Sequence, residues 1–168
     1  LLENVQAKKA FIIYYASDLT HSNEEKVASL LQKLFNDKNI SAEKILLEPK
    51  EKLTLKQQLR MEKKIELANK QVDLSKADYV IIGSPVVDAI TSSPIVNSFI
   101  RGFEKKDYSS TKFVLFSCGI IPGLAIKKMS SLLAVNGIKV FDSQAFSSMF
   151  EFDKKKLIEA ESFFNRFF

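Results

Sequence analysis

Three short stretches carry the residues of this chain that could do chemistry. The first is Ser17-Asp18-Leu19-Thr20-His21-Ser22-Asn23, dense in hydroxyl and amide groups just ahead of a helical pattern. Free backbone N–H groups and the positive end of a helix dipole favour an anion at such a place, above all a phosphate. Ser17, Thr20, Ser22 and Asn23 could add hydrogen bonds, whereas Glu24 and Glu25 in the first turn oppose a dianion. The structural alternative is that Ser22 only caps its helix and the rest is a polar turn. The second stretch is Pro85-Val86-Val87-Asp88-Ala89-Ile90-Thr91-Ser92-Ser93, and the third is Ser117-Cys118-Gly119-Ile120-Ile121-Pro122-Gly123. Cys118 at a strand end, facing a helix start, is a candidate nucleophile. The sixth residue after it is Leu124 rather than the Arg of a phosphatase loop, so a small buried residue is the favoured reading. His21 is the single histidine, and no His/Cys cluster accompanies it to make a zinc site.

Each stretch lies where a buried strand gives way to a helix. Residues 9–16 form a continuous apolar and aromatic run, Phe11-Ile12-Ile13-Tyr14-Tyr15, typical of a parallel strand buried on both faces. Val27, Leu30, Leu31, Leu34 and Phe35 then recur at helical spacing over 23–36, with Ser22 and Glu25 spaced as a capping box. A short strand is expected at 43–47 and an exposed helix at 54–69, opened by Thr54 and Gln57. Residues 77–83 read as a third strand and Pro94 opens a helix ending near Gly102. Residues 113–116 read as a fourth strand, 122–135 as a helix closed by Asn136-Gly137, and 138–141 as a fifth strand. Asp153 caps a last helix carrying Leu157, Ala160, Phe164 and Phe168.

Strand and helix thus alternate five times with no internal repeat and no linker, so a single domain over residues 1–168 is expected. Right-handed crossovers then place helices on both faces of one parallel sheet, an α/β architecture of three layers. Ligands in such folds bind beyond the carboxyl ends of the strands, where the strand order reverses. All three stretches fall at that rim.

Composition narrows the function classes. The net charge is +5, from 25 Lys and Arg against 20 Asp and Glu. The signs alternate, as in Glu62-Lys63-Lys64-Ile65-Glu66, which reads as a solvated face rather than a nucleic-acid stripe. No apolar run approaches the roughly 20 residues of a membrane span. One cysteine allows no internal disulfide, so a reducing cytoplasm is the simplest home. Neither a GxGxxG nor a Walker-type loop is present. Of Phe163, Phe164, Phe167 and Phe168, two or three are expected in the core, leaving the rest to meet a partner chain, for instance in a homodimer.

The run Asp78-Tyr79-Val80-Ile81-Ile82-Gly83-Ser84-Pro85-Val86-Val87, followed by Ser93-Pro94-Ile95-Val96-Asn97-Ser98-Phe99-Ile100, resembles flavodoxin and its relatives. In that family a buried strand ends in Gly-Ser/Thr-Pro-Val before a flavin-contacting loop, and a proline then opens a helix ending in a Phe-Ile or Phe-Leu pair. Tyr14-Tyr15 before a hydroxyl-rich loop, and residues 113–129, extend the likeness over nearly the whole chain. The resemblance implies a doubly wound five-stranded sheet of order 2-1-3-4-5 that holds flavin mononucleotide (FMN) non-covalently. It implies that Ser17, Thr20, His21, Ser22 and Asn23 hold the phosphate. Pro85, Val86, Val87, Asp88 and Ala89, with Ser117, Cys118, Gly119 and Ile120, would frame the ring. The implied activity is electron transfer, or reduction of a small acceptor such as a quinone, through a redox partner.

This chain departs from the family pattern at specific positions. His21-Ser22-Asn23-Glu24 stands where relatives carry a Thr-Gly-Asn-Thr-like run, and the loop has no glycine. No aromatic residue lies near Val87 and Asp88 to stack on a ring, and no glycine near Ala89. Asp88 would disfavour an anionic reduced flavin. These departures motivate a second reading, a flavodoxin-like domain without flavin that serves as a binding or scaffold module.

Overall fold

The apolar runs pair as parallel strands because each must be covered on two faces. The computed structural model describes residues 6–54, 64–88 and 91–168. Its elements run β1 (Lys9–Tyr14), α1 (Asn23–Asp37), β2 (Ser41–Leu46), β3 (Tyr79–Val87), β4 (Thr91–Ser92), α2 (Pro94–Arg101), β5 (Lys112–Gly119), α3 (Gly123–Val135), β6 (Val140–Ser147) and α4 (Lys154–Phe164). The parallel sheet has the order β2-β1-β3-β5-β6, with the two-residue β4 folded back antiparallel on β3. Counting parallel strands alone, this is the expected 2-1-3-4-5.

Alternation along the strands splits the interior into two cores. Ala10, Ile12 and Tyr14 of β1, Ile81 of β3, and Val114 and Phe116 of β5 pack with Val27, Leu31 and Phe35 of α1 and Phe163 and Phe164 of α4. Phe11, Ile13, Val80, Ile82, Phe113 and Leu115 face the other way, against Ile95, Val96 and Ile100 of α2 and Met129 and Leu133 of α3. Full burial of such a side chain is worth about 1.5–3 kcal/mol, and a strand residue shifted by one position would forfeit it. Of the C-terminal aromatics, Phe163 and Phe164 are buried, while Phe168 stays 40% exposed.

Several boundaries differ from the sequence reading. β3 continues past Gly83 through Ser84-Pro85-Val86-Val87 to a hairpin in which Val87 pairs with Thr91. β5 continues through Ser117-Cys118-Gly119, paired to Pro85 on one side and to β6 on the other. β6 starts two residues later than expected and extends to Ser147, because its ladder to β5 carries the polar run Asp142-Ser143-Gln144 into the sheet. The expected helix at 54–69 lies outside the described residues at 55–63. Its described end, 64–69, is not helical, and Leu67 bridges Pro49 instead. None of the described helices is long and apolar enough to cross a membrane.

Candidate functional site

The carboxyl ends of β1, β3 and β6 surround a hollow of about 310 Å³, lined by Ser17, Asp18, His21, Ser22, Asn23, Glu24, Pro85, Ser148, Met149, Phe150 and Glu151. It lies at the reversal of strand order, since β1 and β3 are neighbours whose following helices pack on opposite faces. A second hollow of about 310 Å³ opens beside β1, β2 and α2, among Ile13, Ile45, Leu67, Leu74 and Phe99. It borders the packed core and gathers residues of the 64–74 and 98–108 segments rather than the three stretches singled out in the sequence.

The first loop is largely satisfied from within. Ser22 caps α1, its Oγ accepting from the Glu25 N–H at 3.2 Å. The same hydroxyl donates to Glu24 Oε2 at 2.8 Å, so Glu24 rather than Glu25 closes on the cap. Glu25 turns to the sheet side, where it accepts from Lys44 Nζ at 2.6 Å, from Ser29 and from the Tyr14 hydroxyl. Burial pushes the Glu25 carboxyl up, but the hydrogen bonds from Lys44, Tyr14 and Ser29 outweigh it and hold it below its ordinary value. Asp18 accepts from the Thr20 N–H at 2.8 Å and lies 3.0 Å from His21 Nδ1, and this contact raises the imidazole's pKa. The Ser17 and Thr20 hydroxyls make no hydrogen bond to the described residues.

Asn23 is engaged on both sides of its amide. Its Nδ2 donates to the Phe150 carbonyl at 3.0 Å, and its Oδ1 accepts from the Phe152 N–H at 2.7 Å. Expected as a phosphate ligand, it clamps the loop after β6 against the start of α1.

Glu24 is the least accommodated group. It is only 7% exposed, lines the hollow and has no salt-bridge partner among the described residues. Burial raises its pKa, partly offset by its own backbone N–H and by Ser22.

The other two expected loops divide. Pro85 lines the hollow, Val86 and Val87 are half-buried on the hairpin, and Asp88 is exposed with φ 52°, a left-handed turn that a short polar side chain tolerates. Ala89 lies outside the described residues. Gly119 has φ 152°, and a Cβ there would stand 2.8 Å from Val86 Cγ2, so only glycine lets β5 approach β3 so closely here. Ile120 is 58% exposed at the rim.

Ser117 and Cys118 differ from the expectation of an open loop, because both are strand residues inside β5. Ser117 is fully buried beside its register partner Ser84, and its hydroxyl has no partner among the described residues. Cys118 is 3% exposed, and burial pushes its thiol well above the usual range, which removes it as a nucleophile.

The 148–151 segment escaped the sequence reading. Its signal was the exposed apolar pair Met149-Phe150 set between serines and Glu151, readable only once β6 is known to reach Ser147. The Ser148 N–H donates to the Gly119 carbonyl at 2.8 Å, and Ser147 Oγ to the Ile120 carbonyl at 3.1 Å. These bonds hold Met149 and Phe150 near Ile120 and Ile121, so four exposed apolar side chains share one rim.

No family model and no curated protein matches this chain by sequence. Among solved structures it is similar to oxidised flavodoxin 1 from Bacillus cereus, at TM-score 0.68 and 14% identity over 95% of this chain and 97% of that one. A flavoprotein in complex with FMN from Lactobacillus acidophilus NCFM gives 0.62 and 15% over 83% and 93%. The Trp repressor binding protein from Bacillus subtilis gives 0.65 and 14% over 96% and 100%. At these identities the likeness establishes the fold, which is flavodoxin-like.

Proposed function

We propose that this flavodoxin-like chain binds FMN in the rim hollow and passes electrons to a partner protein or a small acceptor such as a quinone. The observation that carries the reading is the hollow itself, at the strand-order reversal, lined by the hydroxyls of Ser17, Ser22 and Ser148 and by the apolar Pro85, Met149 and Phe150. The structural neighbour that holds FMN supports the choice of ligand.

The residues present fit such a ligand in part, since hydroxyl and apolar groups line the hollow while the Glu24 carboxylate opposes a phosphate dianion. Toward the phosphate, Ser17 offers a hydroxyl with no partner among the described residues and His21 an imidazole whose pKa Asp18 raises, whereas Thr20 does not line the hollow. Toward the ring, Pro85 supplies an apolar wall, while Val86, Val87 and Ile120 lie outside the hollow's lining and Val86 fills the space that a Cβ at Gly119 would need. Met149 and Phe150 extend the same surface outward. When bound, the flavin supplies reversible electron transfer, and the protein's share is position and electrostatics. Asp88 and Glu151 place negative charge near the rim and so favour the neutral over the anionic reduced ring.

A second reading, a flavin-free binding module, is favoured by Glu24 and by the use of Asn23 as a clamp. Thermal unfolding separates the two. A binder held at 100 times its dissociation constant gains about 2.7 kcal/mol. An unchanged melting temperature with FMN supports the flavin-free module.

A further inference from the structure

The exposed apolar rim at Ile120 and Met149 names no occupant beyond the flavin already proposed, and the basic hollow around Lys106 and Lys139 shows no ligand chemistry of its own. Glu24 is different. A carboxylate that is 7% exposed, without a counter-ion, forms part of the wall against which a phosphate would have to lie.

The charged groups around it explain why it stands alone. On α1, Glu25 is turned away to Lys44 at 2.6 Å, and Lys26 is paired with Glu151 at 2.8 Å. In the loop before α1, His21 is paired with Asp18 at 3.0 Å. From β5 the neighbour is the buried Cys118, whose thiol Glu24 helps to keep protonated. From α4, Lys156 is held by Glu159 at 3.0 Å. Every described cation in this neighbourhood already serves another carboxylate. The hydrogen bonds from Ser22 and from the Glu24 backbone N–H are a small return for burying an unpaired charge.

A dianionic phosphate entering this hollow would face that carboxylate at short range and low dielectric, which is unfavourable. One proton removes the conflict. A neutral Glu24 carboxyl is also a hydrogen-bond donor, and it can then serve a phosphate oxygen in place of a hydroxyl side chain.

We infer that Glu24 makes phosphorylated-flavin binding proton-linked: the hollow takes FMN together with one proton from solvent, carried by the Glu24 carboxyl. This rests on the proposed FMN site and adds to it a selection by charge. Riboflavin, which has the same ring and no phosphate, takes up no proton. The direction of the Glu24 shift agrees, since burial already favours the protonated form.

The test is a pair of fluorescence-quenching titrations, FMN and riboflavin, between pH 5.5 and 8.5, on the full chain and on Glu24→Gln and Glu24→Thr. The wild type should lose FMN affinity by about tenfold per pH unit over the upper part of that range, as one linked proton requires. Its riboflavin affinity should stay flat. Both variants should have a slope shallower than the wild type's by one proton, any remainder belonging to His21 and the phosphate itself, and should bind FMN more tightly than the wild type at pH 8.5. Calorimetry in two buffers of different ionisation enthalpy should show one proton fewer taken up with FMN by Glu24→Gln than by the wild type. Flavin binding with equal pH profiles for FMN and riboflavin, or a slope and proton uptake unchanged in Glu24→Gln, overturns the inference while leaving the FMN site standing. Absence of binding by either flavin to all three proteins at every pH overturns the FMN site itself.

Discussion

Asn23 and Phe150 are joined across 127 residues of sequence by a 3.0 Å hydrogen bond from the amide to the carbonyl, and the same side chain accepts from the Phe152 N–H. One residue at the start of α1 therefore fixes the segment that closes the hollow. Asn23→Ala removes both bonds and leaves two backbone groups to find water. The expected cost is about 1–3 kcal/mol. Amide exchange at Phe152 should accelerate more than exchange in β1. A variant as stable as the wild type, with unchanged exchange there, would show that the clamp contributes nothing.

Gly83 is held in a similar way by one side chain. A Cβ built on it would stand 2.0 Å from Cζ of the Phe116 ring, which meets Phe164 edge-on at 6.4 Å. Gly83→Ala should cost about 1–3 kcal/mol by overpacking. Pairing it with Phe116→Leu should recover part of that loss, a non-additivity that denaturant unfolding of the two single variants and the double variant would measure.

Acid and base act on the stability of the free protein through two adjacent carboxyls in opposite directions. Glu25 is lowered in the fold, so its stabilisation is complete above 4.5, its ordinary value, and is lost as pH falls through the folded value. Glu24 is raised, so the folded state binds more protons just above 4.5, and stability falls as pH rises through that window. Glu24→Gln should remove the fall on the alkaline side, and Glu25→Gln should flatten the loss on the acid side. Urea unfolding across pH would record both. A Glu24→Gln curve that tracks the wild type would contradict the burial of an unpaired charge.

Two buried groups in β5 predict silence rather than effect. Cys118 should react with a disulfide reagent only at the rate of unfolding, since its thiol is both enclosed and protonated. Ser117→Ala should be neutral or stabilising by about 1 kcal/mol, because the hydroxyl it deletes has no partner among the described residues. Fast labelling of native Cys118 would show that β5 frays where the structure holds it closed.

Much of the fold was legible because its strands are apolar on both faces. Phe11-Ile12-Ile13 and Val80-Ile81-Ile82 can only be central parallel strands, and Val27, Leu31 and Phe35 can only be the inner face of a helix. Strand ends were not legible for the opposite reason. Ser84, Ser117, and Asp142 to Gln144 look like loop residues, yet backbone ladders to neighbours far away in sequence carry them into the sheet. The site was half legible. Ser22 and Glu25 advertised a capped helix start with Glu24 beside them, but which carboxylate meets the cap depended on Lys44 claiming Glu25 from β2. Asn23 read as a ligand because nothing local revealed the Phe150 and Phe152 backbone as its partners.

The central claim is that a flavin seats in the hollow between Ser17, Pro85 and Phe150. The most direct measurement follows FMN emission while the protein is added at pH 6, with the absorption spectrum recorded at saturation. The account predicts quenching that saturates at one flavin per chain, with a shifted visible band. Emission that stays constant to concentrations far above that of the flavin, for FMN and riboflavin alike, would contradict it.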